Sequence, residues 1–142
     1  MNISHIEHIG IAVKSIDAQL PYYENVLGLK CYNIETVEDQ KVRTAFFQVG
    51  KTKIELLEPT GDDSTVAKFI EKRGEGVHHI AFAVPALSEA LEEMETKGVQ
   101  LIDKSPRQGA ESLQIAFLHP KSTGGVLTEL CAVAEDFTMY YL

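Results

Sequence analysis

The chain is organised around residues 76–84, which read GVHHIAFAV and are rich in apolar and β-branched side chains. This stretch follows a glycine-bounded turn and stops at Pro85, a pattern that predicts a β-strand. Residues 7–13 read EHIGIAV, and aligning His8 with His79 matches the two stretches almost residue for residue. The two histidines are 71 residues apart, half of the 142-residue chain. The sequence therefore predicts two copies of one module, each opening with a histidine-bearing strand.

The second half of each copy also repeats. Residues 45–57 contain AFF and then IELL, and residues 116–131 contain AFL and then TELC. Glu55 and Glu129 are 74 residues apart, so a three-residue insertion in the second turn accounts for the difference. Each module thus contributes one histidine and one glutamate, a mixed nitrogen and oxygen set that suits a divalent metal ion. If the modules are related by a pseudo-twofold axis, four side chains meet: His8, Glu55, His79 and Glu129.

The predicted fold is α+β, with two β-α-β-β-β modules in tandem forming one curved sheet around a metal site. With 44% apolar residues, the chain can build the core of a single domain over residues 1–142. We place module 1 at about 4–59, a linker helix at about 64–73 and module 2 at about 76–134. Strand alternation predicts that the histidine face, lined by small residues, leaves room for a ligand while the opposite face forms the core.

Charge and cysteine content exclude some classes of function. The net charge of −8 argues against binding to nucleic acid or to a membrane surface. Cys31 and Cys131 form no Cys-x-x-Cys pair, and no secretory signal or long apolar run precedes the first strand. We therefore expect two reduced thiols and a cytoplasmic location.

Capping residues predict three helices. The first is capped by Ser15 and Asp17 and runs to about Gly28, starting late enough for Pro21 to lie near its first turn. The second is capped by Ser64 and covers 65–72, and the third is capped by Ser88 and ends near Lys97. The remaining strands are predicted at 30–38, 42–49, 52–58, 99–103, 113–119 and 126–133. The apolar tail at 134–142 packs either at a surface or at a dimer seam.

Four blocks in order resemble one known superfamily. They are residues 53–59, 64–69, 76–82 and 117–123, and they resemble the vicinal-oxygen-chelate superfamily and, within it, the methylmalonyl-CoA epimerases. The resemblance runs from His8 to Cys131. It implies that a cobalt, manganese or zinc ion is bound and that the protein is a homodimer acting on methylmalonyl-CoA. The ligand positions that it implies are His8, Glu55, His79 and Glu129.

The same resemblance implies a reaction. The (2R) and (2S) epimers of methylmalonyl-CoA are interconverted by removing and returning the proton at carbon 2, through a metal-stabilised enolate. Glu129 or Glu55 is the expected proton-transfer group on one side of that carbon. Thr44 lies where some relatives place a second catalytic glutamate. Lys121 and Ser122 lie in a glycine-ended loop that either meets a CoA phosphate or is a plain turn.

Other readings of the same pattern stay open at this point. A glyoxalase-type lactoylglutathione lyase uses similar metal and proton-transfer chemistry. A ring-cleaving dioxygenase needs two histidines and one carboxylate around Fe(II), which would leave Glu55 surplus. A metal-free drug-binding module shares the fold. A lone histidine on an apolar strand is usually a core residue, but the joint repeat of histidine and glutamate favours ligands here.

Overall fold

A computed structural model of the chain describes residues 1–133, which divide into two compact units. One unit contains residues 6–80, and the other contains residues 1–5 with the described residues from Ala81 onward. The tail at 134–142, predicted to pack at a surface or a dimer seam, lies outside the described residues. The single domain over 1–142 stays a prediction.

The unit of residues 6–80 is built from strands that order as β2-β3-β4-β1-β5. β1 pairs in parallel with β4, which places Gly10 opposite Glu55, whereas β3 pairs antiparallel with both β2 and β4. The first part of β5 belongs to this unit. The bounds are β1 His5–Ala12, α1 Ile16–Pro21, β2 Cys31–Val37, β3 Val42–Val49, β4 Thr52–Pro59, α2 Thr65–Arg73 and β5 Gly76–Ala83.

The other unit contains three further strands in the order β8-β7-β6 and one helix. β7 and β8 pair antiparallel, with Phe117 opposite Glu129. The buried face of the helix, including Leu87 and Leu91, packs in a cluster with Leu118 and Leu130. The bounds are α3 Leu87–Thr96, β6 Arg107–Gln108, β7 Leu113–Leu118 and β8 Thr128–Val133. The β-α-β-β-β order predicted for each module is thus confirmed.

The prediction for the first helix is wrong about Pro21. α1 begins directly after Ser15, whose hydroxyl accepts a hydrogen bond from the N–H of Ala18, and Pro21 is its last residue. Proline lacks an N–H and its ring crowds the preceding turn. The chain continues as a wider π-helical turn over Tyr22–Val26, in which the N–H of Leu27 donates to the Tyr22 carbonyl.

The strand predicted at 99–103 is also wrong. Only an isolated bridge joins Leu101 to Leu118, and the third strand of the module is β6. The side chain of Asp103 explains the difference, because its carboxylate accepts a hydrogen bond from the N–H of Phe117 at 2.8 Å. A side-chain acceptor thereby replaces a backbone partner at this point, and pairing by a strand resumes only at residues 107–108.

The second helix is capped as predicted, and the third is not. Ser64 accepts hydrogen bonds from the N–H groups of Val66 and Ala67 at the start of α2. α3 starts after Ala86, which makes no side-chain cap, so that Ser88 lies inside the helix. Among the helices of residues 1–133, none has the length and apolar character needed to cross a membrane.

Candidate metal centre

Three of the four predicted ligand positions lie within the unit of residues 6–80, where His8 contacts each of the other two. His8 lies on β1, Glu55 on β4 and His79 on β5, and each is no more than 5% exposed. The His8 Nε2 and His79 Nε2 atoms are 3.0 Å apart, and the His8 Nδ1 atom lies 3.1 Å from Glu55 Oε2. These residues come from three neighbouring strands, and β1 lies between β4 and β5, which places His8 beside both of the others.

Gly10 provides the space that the His79 ring occupies. A Cβ atom at this position would lie only 2.3 Å from the His79 Cε1 atom and 2.6 Å from its Nδ1 atom. The face predicted to leave room for a ligand is thus more buried than the opposite one, since His8 and Gly10 are buried whereas Ile9 is half-buried. In the sequence, the visible signal for this space was Gly10, the small residue two positions after His8. The group that occupies the space is the ring of His79.

The donor set fits a divalent ion. Imidazole nitrogens and carboxylate oxygens are the donors that zinc and similar divalent ions take in proteins. The separation of the His8 and His79 Nε2 atoms is 3.0 Å. Both imidazoles and the Glu55 carboxylate are buried, and buried groups of these kinds are either paired or coordinate a metal.

Glu7 contacts His8 and is itself contacted by Lys53, and sequence analysis missed both residues. Glu7 Oε1 lies 2.6 Å from His8 Nδ1, and Glu7 Oε2 lies 2.9 Å from Lys53 Nζ. Burial on its own raises the pKa of Glu7, but hydrogen bonds to His8 and Lys53 outweigh it and hold this pKa below its usual 4.5. The signal available in the sequence was an acidic and a basic residue within apolar strands. In the structure such a residue is buried, since Lys53 is only 7% exposed.

His78 lies beside His79, and both imidazole rings are neutral at pH 7. The Nδ1 atoms of the two rings are 2.9 Å apart, and the His78 ring meets Phe69 edge-on at 5.0 Å. Burial lowers the pKa of His78 to about 4. Burial also holds the pKa of His79 well below 6.5, with further contributions from His8 and His78. Both rings are therefore neutral at pH 7, which is the form of histidine that binds metals.

The metal-free protein is expected to lose stability as the pH falls from about 6.5 to about 4. The unfolded chain takes up the His78 proton near pH 6.5, whereas the folded chain does so only near pH 4. The stability is therefore complete above the unfolded pKa and declines below it, by up to about 3 kcal/mol from this group. Urea unfolding in chelator at pH 7 and pH 4.5 measures the decline. His78→Gln should show a smaller decline, and an equal decline in both proteins would contradict the prediction.

The remaining predicted site residues lie in the other unit. Glu129 is on β8 and is 3% exposed. Lys121 and Ser122 lie in a short 3₁₀ turn, where the Ser122 hydroxyl accepts a hydrogen bond from the N–H of Gln100 at 2.9 Å. Ser122 therefore ties the loop to residue 100, and a contact from Lys121 or Ser122 to a CoA phosphate stays a prediction. In the first unit, Thr44 is 1% exposed on β3.

Comparisons with known proteins agree with one another. Residues 7–117 match the glyoxalase/bleomycin resistance protein/dioxygenase superfamily. The chain is 54% identical to the uncharacterized protein YqjC of Bacillus subtilis, covering 94% of this chain and 96% of that protein. It is 34% identical to the mitochondrial methylmalonyl-CoA epimerase of Homo sapiens, covering 91% of this chain and 74% of that protein.

A solved structure of a methylmalonyl-CoA epimerase is also similar to the chain. The structure is that of a variant of Streptomyces coelicolor methylmalonyl-CoA epimerase in complex with 2-nitronate-propionyl-CoA. It superposes with a TM-score of 0.90 at 39% identity, covering 94% of this chain and 97% of that one.

Proposed function

Because the chain belongs to the glyoxalase/bleomycin resistance protein/dioxygenase superfamily and, within it, to the methylmalonyl-CoA epimerases, we propose that it interconverts (2R)- and (2S)-methylmalonyl-CoA with the help of a divalent metal ion. The predicted family, the α+β glyoxalase-type fold class and the prediction of an epimerase-type enzyme are confirmed. The observation that carries the proposal is the approach of the buried His8 and His79 Nε2 atoms to 3.0 Å, with the buried Glu55 carboxylate beside the other nitrogen of His8.

We assign the metal site to the four residues that the repeat relates. His8 and His79 are supported by their burial and by the 3.0 Å between their Nε2 atoms, and Glu55 is supported by its burial and its contact with His8. Glu129 is supported by its equivalence to Glu55 in the second module and by its own burial on a strand. Cobalt, manganese and zinc all suit imidazole and carboxylate donors. Such an ion, when bound, supplies Lewis-acid stabilisation of the negative charge that develops on the substrate oxygens.

The chain's own carboxylates are assigned the proton transfer. In the proposed reaction the bond between carbon 2 and its hydrogen breaks, the proton passes to a carboxylate oxygen of Glu129, and the electron pair stays with the substrate as an enolate. Return of a proton from Glu55 to the opposite face of carbon 2 inverts the centre, provided that Glu55 begins the turnover as the carboxylic acid. Glu55 then ends ionised and Glu129 ends protonated, and exchange with solvent between turnovers restores both. Thr44 has no acidic proton near neutral pH, so it does not take the second role. Burial of the carboxylates excludes water that would otherwise compete for the proton.

Exchange of the carbon 2 hydrogen tests the proposal. Methylmalonyl-CoA incubated in D₂O with metal-loaded protein is expected to gain one deuterium at carbon 2, measured by mass spectrometry. Treatment with a chelator should abolish the gain, and adding cobalt(II) back should restore it. No deuterium uptake by a protein that demonstrably holds metal would overturn the substrate assignment and favour a glyoxalase-type substrate. Absence of bound metal would favour a metal-free binding module.

Glu129→Gln in the same assay tests the assigned proton acceptor. The amide keeps the shape of the side chain but cannot take up the proton, so exchange should fall steeply in a protein that still binds metal. An unchanged exchange rate with metal retained would rule out Glu129 in this role. The homodimer, the cytoplasmic location and the contacts of Lys121 and Ser122 with CoA stay predictions.

A further inference from the structure

Glu7 contacts His8 although strand geometry sets the two apart. Neighbouring residues of a strand point to opposite faces, so Glu7 and His8 are not expected to meet from their positions on β1. The Glu7 Oε1 atom nevertheless lies 2.6 Å from His8 Nδ1. The Glu7 side chain is 14% exposed and that of His8 is 5% exposed, so water competes little with this contact.

Lys53 holds the other oxygen of the same carboxylate. β1 and β4 pair so that Lys53 stands opposite His8, and the Lys53 Nζ atom lies 2.9 Å from Glu7 Oε2. The Lys53 side chain is 9% exposed, and its ammonium lies 5.8 Å from the centre of the Phe46 ring. The Glu7 carboxylate is thus held at both oxygens, by a cation on one side and by an imidazole on the other.

The contact with Glu7 determines which nitrogen of the His8 ring carries the proton. An ionised carboxylate only accepts hydrogen bonds, so the contact with Glu7 places the proton of neutral His8 on Nδ1. The Nε2 atom then presents its lone pair toward His79 Nε2, 3.0 Å away. This is the tautomer that a metal ligand needs, and a carboxylate on the far nitrogen also raises the basicity of the ligating one.

The Glu55 carboxylate also approaches this nitrogen, at a longer distance. Glu55 Oε2 lies 3.1 Å from His8 Nδ1, compared with 2.6 Å for Glu7 Oε1. The single Nδ1–H of His8 donates to the nearer of the two carboxylates. That carboxylate is Glu7, whose charge is balanced by Lys53.

We propose that Glu7, held by Lys53, is a positioning residue that keeps His8 in its Nδ1-protonated form and aims its Nε2 atom at the metal ion. The proposal rests on the proposed function for the presence of a metal ion, and it deepens that function by adding a supporting pair to the ligand set. Glu7 touches neither substrate nor metal ion in this role. It acts only through His8.

The test measures cobalt(II) affinity by chelator competition in the full-length protein. Glu7→Gln is expected to bind cobalt about 10- to 100-fold more weakly than the unchanged protein, as is usual when the partner of a ligating histidine is lost. Glu58→Gln is the matched control, because Glu58 is a partly buried carboxylate of the same unit that pairs with Arg43 and contacts none of the proposed ligands. Its cobalt affinity should not change.

A spectroscopic readout separates positioning from simple loss of stability. In ¹⁵N-labelled metal-free protein, the His8 nitrogen shifts should indicate an Nδ1-bound proton, and in Glu7→Gln they should move toward the Nε2-bound form. Glu7→Asp serves if Glu7→Gln does not fold, because it keeps the charge beside Lys53 but withdraws the carboxylate from His8. Its cobalt affinity should fall as well.

These measurements distinguish failure of the proposed role of Glu7 from failure of the proposed function. A cobalt affinity equal to that of Glu58→Gln, with an unchanged His8 tautomer, would overturn the role of Glu7. If the unchanged protein binds no cobalt, the proposed function fails, whereas the tautomer measurement still decides whether Glu7 holds the Nδ1 proton. Weaker cobalt binding together with an altered tautomer supports the proposal.

Discussion

His79→Ala is expected to abolish metal binding and epimerisation together. The substitution removes one of two imidazoles whose Nε2 atoms are 3.0 Å apart, and a single histidine with carboxylates holds a borderline ion far less tightly. Loss of Lewis-acid stabilisation worth several kcal/mol lowers the rate by a factor of about 10³ or more. Metal content by mass spectrometry and deuterium exchange at carbon 2 measure the two effects.

His5→Ala is the matched control for this substitution. His5 begins the same β1 strand that carries His8, and its Nδ1 atom contacts the Ser4 hydroxyl at 2.7 Å. Its removal should leave both metal content and exchange unchanged. Stoichiometric metal in purified His79→Ala would show that His79 is not a ligand, whatever happened to the activity.

Gly10→Ala is expected to have the second largest effect, although it adds only one methyl group. The new Cβ atom would lie 2.3 Å from His79 Cε1 and 2.9 Å from His79 Nε2, closer than real Cβ atoms approach their neighbours. The His79 ring must therefore move, and the Nε2 atom moves with it. We expect cobalt affinity to fall by at least about tenfold and the rate to fall with it, because displacements of about 1 Å in an active site have effects of this size or larger.

Gly61→Ala controls for the loss of a glycine. A Cβ atom there would meet only Asp63 Oδ1 at 3.0 Å, at the end of a side chain that can swing away. Thermal unfolding of the metal-free proteins separates displacement of the ring from general loss of stability. Wild-type cobalt affinity in Gly10→Ala would contradict the close approach that links β1 to His79.

The strands that carry the site were readable from local patterns. Apolar runs with glycine and proline at their ends mark strands, and all four strands of the first module lie within one or two residues of the predicted bounds. The helix at residues 65–73 was readable because Ser64 caps it through its own side chain. Such signals act over a few residues, so they are visible without knowledge of the rest of the chain.

The strand that was missed depends on a contact distant in sequence, whereas the first helix differs from its prediction at Pro21, a local feature. The expected strand at 99–103 is interrupted because the Asp103 carboxylate binds the N–H of Phe117, 14 residues away. The first helix changes to a π-helical turn after Pro21. A carboxylate that finds a backbone donor overrides strand propensity, and its partner is known only once the chain is folded.

By itself, the sequence determined the family, the repeated β-α-β-β-β order and the presence of one histidine and one glutamate in each copy of the repeat, because a repeat at offsets of 71 and 74 residues is written in residue order. Only the tertiary structure decided that Gly10 is the space for His79 and that Glu7 and Lys53 hold His8. The contacts of Gly10 with His79 and of Lys53 with Glu7 depend on the register between strands. That register is set by the packing of the sheet as a whole and leaves no mark in the spacing of the residues involved.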